Sequence, residues 1–497
     1  MHILHIAAEL APVAKVGGLA DVLGGLSSQL SKIGHDVDII LPKYDCMDSD
    51  AIDELDIVYS HLKSYFNGSW YTNTVWVGWV GSLKVYLLDP HHPDYFFDRG
   101  CIYGCDDDIK RFLYFNRAAM EFIYKQGLNP DAVHIHDWQT SAIALLYKDM
   151  YAKWGLKVPK ITLTIHNLAY QGKCSPEDLN LIGIDGTSYL KPEKLQDNAR
   201  ENTMNLLKGG IVYADAITTV SPSYAKEILE PVGGQGLEVT LKKHSSKLYG
   251  VLNGIDYEYW NPETDGVIPA HYSYREIPLQ KGDRNTIDKK AYIKKSLREH
   301  LMLEQLHRPI VGTIARLVPQ KGLDLIKASI DQIVDLGGQF VFLGSGPIPS
   351  INAEFHSLRH HYLDHPHVRI MLQHDEALAH MMYAGCDMMV VPSLFEPCGL
   401  VQLISLRYGT VPIVHKTGGL ADTVFDLDVN GIQNKANGYT FEQPQPELLH
   451  AALSRAIHCW YEHPDTWRQL VVQGMTMDYS WKQSASKYLE IYTNTSK

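Results

Sequence analysis

No apolar stretch in the 497 residues reaches the length needed to cross a membrane, so no membrane partner is expected. Cysteine is scarce: Cys46, Cys101, Cys105, Cys174, Cys386, Cys398 and Cys459 are scattered, and an odd number fits no disulfide framework. Cys101-x3-Cys105 has no partner pair or nearby histidine set that would suggest zinc. Basic residues are outnumbered, 45 Lys and Arg against 57 Asp and Glu, for a formal charge of −12. With no long basic run either, generic attraction to a phosphate backbone is not expected, which argues against a nucleic-acid partner. The opening Met1-His2-Ile3-Leu4-His5-Ile6 lacks a charged n-region, so a secretory leader is not expected. Reduced cysteines and no leader lead to an expected location in a bacterial cytosol.

What is present is length and alternation. A chain of 497 residues is too long for one hydrophobic core, and its 45% apolar and 21% charged content is that of a globular protein. Residues 2–8 read as a strand. Leu19, Val22, Leu23, Leu26 and Leu30 then mark one face of a helix, with Gly34 at its C-terminal cap. Asp36–Leu41 is the next strand, which makes a βαβ unit. Further strands are expected at 133–136, 161–165, 216–220 and 249–252. A polar stretch from about 263 to 308 follows, and the alternation restarts at 309–314, 339–343, 368–372, 388–391 and 411–414. Short apolar strands alternating with helices imply parallel sheets, and two such series imply two doubly wound α/β domains facing one cleft. Ligands of such sheets bind beyond the carboxyl ends of the strands.

Four segments carry candidate chemistry. Lys15-Val16-Gly17-Gly18-Leu19 joins a cation and two glycines to a helix entrance, which suits a diphosphate, although glycine also occurs in such turns for steric reasons alone. Arg316 and Lys321, in Arg316-Leu317-Val318-Pro319-Gln320-Lys321-Gly322, can turn toward one anion after the strand 309–314, unless they belong to a solvated loop. In Ser393-Leu394-Phe395-Glu396-Pro397-Cys398-Gly399-Leu400, Glu396 can accept hydrogen bonds from sugar hydroxyls, while the Gly399 and Leu400 amides can meet phosphate. The alternative is a helix-start glutamate favoured by the dipole. His134-Ile135-His136-Asp137-Trp138 and His166-Asn167 end neighbouring strands, with Trp138 as an apolar platform for a sugar and His134 inward enough to be a core residue. The two histidines do not make a metal site by spacing, and no Asp-x-Asp pattern stands at a strand end, so no metal is expected. The chain also repeats itself: Lys15-Val16-Gly17-Gly18-Leu19-Ala20-Asp21-Val22 returns as Lys416-Thr417-Gly418-Gly419-Leu420-Ala421-Asp422-Thr423.

Together these segments resemble glycosyltransferase family five, the bacterial glycogen synthases and plant starch synthases of GT-B fold. The resemblance runs from residue 3 to about 490. It also rests on Thr164-Ile165-His166-Asn167-Leu168-Ala169-Tyr170-Gln171-Gly172, on Leu252-Asn253-Gly254-Ile255-Asp256, and on Trp260-Asn261-Pro262. Tyr103-Gly104, Asp107-Asp108, Arg111-Phe112 and Leu195-Gln196-Asp197-Asn198 resemble the subgroup holding plant starch synthases three and four.

The resemblance implies an acceptor domain over 1–252, a donor domain over 253–476, and a last segment, 477–497, crossing back to the first. It implies a retaining transfer of glucose from ADP-glucose to the non-reducing end of an α-1,4-glucan or maltooligosaccharide, with no resident cofactor. Lys15, Gly17, Gly18, Asn253, Gly344, Gly346, His374, Cys398, Gly399 and Leu400 would hold the donor. Asp137, His166, Arg316, Lys321 and Glu396 would surround the reaction, and Asp21, Tyr103 and Trp138 the acceptor. Retention without an accepted carboxylate nucleophile favours front-face attack, with the leaving phosphate taking the acceptor's proton. His374 departs from the family, which usually offers Tyr or Phe there, and leaves the choice of adenine or uracil open. A small-acceptor transferase of the sucrose type and a non-catalytic glucan scaffold are the rival readings. The Tyr103–Arg111 segment speaks against the first and the complete charged set against the second. Oligomeric state is not specified.

Overall fold

The structure, a computed structural model, describes residues 1–277 and 288–494. Residues 278–287 of the expected polar stretch and 495–497 of the expected last segment lie outside the described residues. The chain divides into two compact units, Met1–Gly254 with Trp481–Lys497, and Ile255–Ser480.

The strands of the first unit are β1 (His2–Ile6), β2 (Asp36–Pro42), β3 (Asp53–Phe66), β4 (Ser69–Val80), β5 (Leu83–Pro90), β6 (Ala132–His136), β7 (Lys160–Ile165), a two-residue pair β8 (Lys173–Cys174) and β9 (Met204–Asn205), β10 (Ala216–Thr219) and β11 (Leu248–Gly250). Nine of them form one sheet in the order β11-β10-β7-β6-β1-β2-β5-β4-β3. An apolar run such as Ile39-Ile40-Leu41 suits a strand buried on both faces, and in Ile161–Ile165 the intervening Thr162 and Thr164 are buried as well. The expectation of parallel sheets fails at one edge, because β3, β4 and β5 are antiparallel. Two tight reversals, at Asn67-Gly68 and Gly81, all with left-handed φ, fold that segment into hairpins. β5 then rejoins the sheet parallel to β2.

In the first unit the chain leaves β1 for β2 on one side and returns at β6 on the other. The strand order therefore reverses between β1 and β6. The helix Gly18–Lys32 packs against β2 and β5 with Leu19, Val22, Leu23, Leu26 and Leu30 buried, and Gly34 (φ 93°) ends it. The last helix, Trp481–Thr493, packs on that helix, and its Trp481 indole occupies the space a Cβ would need at Gly25.

The second unit holds β12 (Ile310–Ile314), β13 (Gln339–Leu343), β14 (Val368–Met371), β15 (Met388–Val391), β16 (Val411–His415) and β17 (Tyr439–Phe441). All are parallel, in the order β14-β13-β12-β15-β16-β17. Here the order reverses between β12 and β15. One apolar core runs beneath the sheet through Val311, Phe340, Val390, Ile413 and Leu453. The polar stretch expected to carry no strand contains the helix Lys289–His300.

Candidate active-site residues in the two units

Strand order reverses between β1 and β6, and the loops that leave those two strands carry Glu9, Lys15 and Asp137. After β1, Glu9 is buried at 4% exposure. Its Oε2 accepts the backbone N–H groups of Val16 (2.7 Å) and Gly17 (2.9 Å), and its Oε1 accepts the Tyr103 hydroxyl (2.8 Å). Glu9 thus ties the Lys15–Leu19 loop to Tyr103. Sequence reasoning missed it, because a lone acid after a strand carries no pattern. Gly17 caps the helix Gly18–Lys32, and Lys15 Nζ lies 2.9 Å from Asp21 Oδ1.

After β6, Asp137 is buried with a left-handed φ of 53°, a strained conformation for a residue other than glycine. Its Oδ1 accepts the His166 backbone N–H at 2.7 Å, which joins the ends of β6 and β7. Burial pushes its carboxyl up to about 7, helped by the nearby Glu9 carboxylate and opposed by the N–H groups of His166 and Asn167. Such a displaced carboxyl at a strand mouth is a mark of functional sites. Burial and Glu9 also push the Tyr103 phenol well above its ordinary value. Trp138 is largely enclosed, edge-on to Phe112. Beside it opens a cavity of about 410 Å³ lined by Tyr170, Gln171, Gly172, Lys173 and Gln235.

Beneath Asp137 four imidazoles cluster. His5, His134 and His136 bring ring nitrogens within 4.8 Å of one another, a grouping that could hold a metal. Both nitrogens of His134 are already engaged, with Tyr492 Oη (2.7 Å) and Thr164 Oγ1 (2.5 Å). Those of His136 face His5 and His166. The cluster is packed as a hydrogen-bonded group, with His134 as the core residue its inward position allowed.

In the second unit the site segments meet because glycines permit backbone contact. A Cβ at Gly344 would lie 1.9 Å from Ala315 O, and one at Gly346 would lie 2.4 Å from Leu317 O, so the loop after β13 clasps the one carrying Arg316. Gly322 (φ 69°) presses on Pro392 at the end of β15 in the same way. The second glycine pair, Gly418-Gly419, seats the Glu396 loop: Gly419 N–H donates to Glu396 O at 3.0 Å, and a Cβ there would meet Cys398 O at 2.1 Å. The two copies of the repeat are therefore used differently. The first caps a long helix, and the second packs a loop.

Lys321 Nζ lies 2.5 Å from Glu396 Oε2, which also accepts the Ser393 hydroxyl at 2.8 Å. Glu396 is 6% exposed, so its charge is met by these two donors. Arg316 is exposed, and among the described residues its guanidinium has no partner. Cys398 is buried, Gly399 has φ 77°, and Leu400 caps the short helix Val401–Arg407 without a side-chain bond. His374 is exposed in the loop between β14 and the helix Glu376–Gly385. Asn253 stands at the end of the first unit, buried, with its Oδ1 unpaired among the described residues.

The starch synthase catalytic domain family matches residues 2–243, and the glycosyl transferases group 1 family matches residues 302–470. A glycogen synthase of Protochlamydia amoebophila is 61% identical over 493 residues, covering 99% of each chain. A probable starch synthase 4 of Arabidopsis thaliana is 45% identical across 100% of this chain and 47% of its own length. Among solved structures, the catalytic domain of starch synthase IV from Arabidopsis thaliana, bound to ADP and acarbose, superposes with a TM-score of 0.94 at 45% identity, covering 99% of this chain and 98% of that one. A sucrose-phosphate synthase from Thermosynechococcus elongatus, with a TM-score of 0.58 at 16% identity, shares the fold alone. The chain belongs to the glycogen and starch synthase family of glycosyltransferases, with the GT-B fold.

Proposed function

We propose that the chain moves glucose from ADP-glucose to the non-reducing end of an α-1,4-glucan, with retention at the anomeric carbon. In this reading 1–252 is the acceptor domain, which also contributes donor-binding residues, 253–476 is the donor domain, and a bacterial cytosol is the matching compartment. The observation that carries it is the charge arrangement beyond the second sheet. Lys321 is held by the buried carboxylate of Glu396 from the loop after the neighbouring strand β15, while Arg316, on the same loop as Lys321, has its guanidinium unpartnered among the described residues. That is a preformed place for the charge that develops on a leaving diphosphate. Glu396 would accept hydrogen bonds from glucose hydroxyls, and the Gly399 and Leu400 amides would meet phosphate. The loops of Gly344 and Gly346, with Cys398, would be the further donor-binding residues of the second unit, and Lys15, Gly17, Gly18 and Asn253 those of the first. His374 would lie against the base, and Asp21, Tyr103 and Trp138 beside the acceptor.

The acceptor hydroxyl attacks the anomeric carbon on the face the diphosphate leaves, and a departing phosphate oxygen takes its proton. Asp137, whose Oδ1 already accepts the His166 backbone N–H, serves in this reading as a positioning group.

The test is glucose transfer from ADP-glucose and UDP-glucose, each with and without a maltooligosaccharide. ADP-glucose is expected to win. Arg316→Ala is expected to lower kcat by about two to three orders of magnitude, as for the loss of one charge-stabilising donor. Because side-chain cations meet the diphosphate here, a chelator should leave the rate unchanged. Longer glucans from neither donor would sink the reading, and a rate that collapses in chelator would sink its metal-free part.

A further inference from the structure

His166 is attached to a buried row of imidazoles that the proposed reaction does not itself use. β1 and β6 are parallel neighbours with His5 opposite His134, and His136 follows two residues on. His5 Nδ1 lies 3.2 Å from His136 Nε2, and His136 Nδ1 lies 3.0 Å from His166 Nε2. His5 and His136 are 0% and 1% exposed. Burial lowers His5 and His166 to about 3 and His136 well below its ordinary value, so all three are neutral. At the inner end, His5 Nε2 has no partner among the described residues.

A neutral imidazole has one N–H and one lone pair. Two hydrogen bonds in series therefore leave only two arrangements for the three rings. In the first, His5 donates from Nδ1 to His136, His136 donates from Nδ1 to His166 Nε2, and His166 carries its proton on Nδ1. In the second every bond is reversed, and His166 Nδ1 is a bare lone pair. The first leaves an unpaired lone pair at His5 Nε2, and the second leaves an unpaired N–H. Among buried backbone groups an orphaned N–H is the rarer case, and the same preference applied to imidazole selects the first arrangement.

We propose that His5 and His136 are positioning residues that hold His166 as the Nδ1–H tautomer, so that the nitrogen outside the row is a hydrogen-bond donor to an oxygen of the bound sugar. The proposal rests on the reading that places His166 beside the transferred glucose. A tautomer fixed before substrate arrives removes one rearrangement from the reaction.

The measurement is a two-bond proton–nitrogen correlation spectrum of the 15N-histidine-labelled full chain without substrate, with the His166 signals assigned by their loss in His166→Asn. The expected pattern is Nδ1–H at both His136 and His166. His5→Leu removes the inner donor and should give a mixed His166 tautomer, with kcat down about tenfold and KM for the glucan unchanged, the scale of one hydrogen bond. His5→Asn, whose amide N–H can replace Nδ1–H, should restore both the spectrum and kcat. Nε2–H at His166 in the unsubstituted protein would overturn the proposal, as would an unchanged tautomer in His5→Leu. Should His5→Leu fail to fold, the unsubstituted spectrum and His5→Asn still decide. The spectrum needs no turnover, so an inactive protein with the expected tautomer would count against the proposed function and not against the row.

Discussion

Asp137 is buried, left-handed in its backbone and pushed up to about 7, so its ionised form costs the fold stability. The folded pKa lies above the unfolded one. The native state therefore holds a proton that the unfolded chain has lost, and stability falls as pH rises from about 4 to about 7 and is level beyond. Asp137→Asn keeps an oxygen for the His166 N–H and removes the charge. We expect the variant to melt higher than the parent at about pH 8, by up to a few kcal/mol in stability, with the difference vanishing toward about pH 4. Glucan synthesis should fall in the same variant, a stability–activity exchange typical of functional sites. Melting curves across that range check it, and a difference constant with pH would remove burial of charge as its cause. Asp137 and His166 stood out in the sequence because each ends an apolar strand. Glu9 and His5 did not, since their partners lie far along the chain. His5 meets His136 across 131 residues, and Glu9 meets Tyr103 across 94.

At the scale of elements, the glycines divide into two kinds. Gly344 and Gly419 are required by the protein itself, because a Cβ at either runs into a carbonyl oxygen within about 2 Å (1.9 and 2.1 Å). Gly17 has extended backbone and nothing within 4 Å of a Cβ, so packing does not demand glycine there. Gly344→Ala and Gly419→Ala should each cost about 1–3 kcal/mol, as overpacking does. Gly17→Ala should leave stability within about 0.5 kcal/mol while weakening the donor, if a ligand backbone approach is the reason for the glycine. Denaturant unfolding beside donor KM separates the two. The parallel strands were legible because burial on both faces makes them plain apolar runs. The β3–β4 hairpin was not, although Asn67-Gly68 is a turn signal. Much of β3 is exposed and register shifts interrupt the pairing, so no steady alternation marks it.

At the scale of the molecule, the chain's last helix belongs to its first unit. Trp481, Ala485, Tyr488, Ile491 and Tyr492 are buried there, and Tyr492 Oη meets His134 Nδ1 at 2.7 Å. Ending the chain before Trp481 should lower the melting transition of the first unit by several degrees or abolish it, and leave that of the second in place. Calorimetry reads both, and an unchanged first transition would contradict the packing described. By itself the sequence determined the two α/β series, the strand-end loops and the chemistry available in them, because hydrophobic period and turn residues are local properties. Only the tertiary structure decided which loops become neighbours: β1 beside β6, β12 beside β15, Glu9 under Gly17, and His5 behind His166. Strand order and close backbone approach are set by packing between segments distant in the chain, and no local pattern records them.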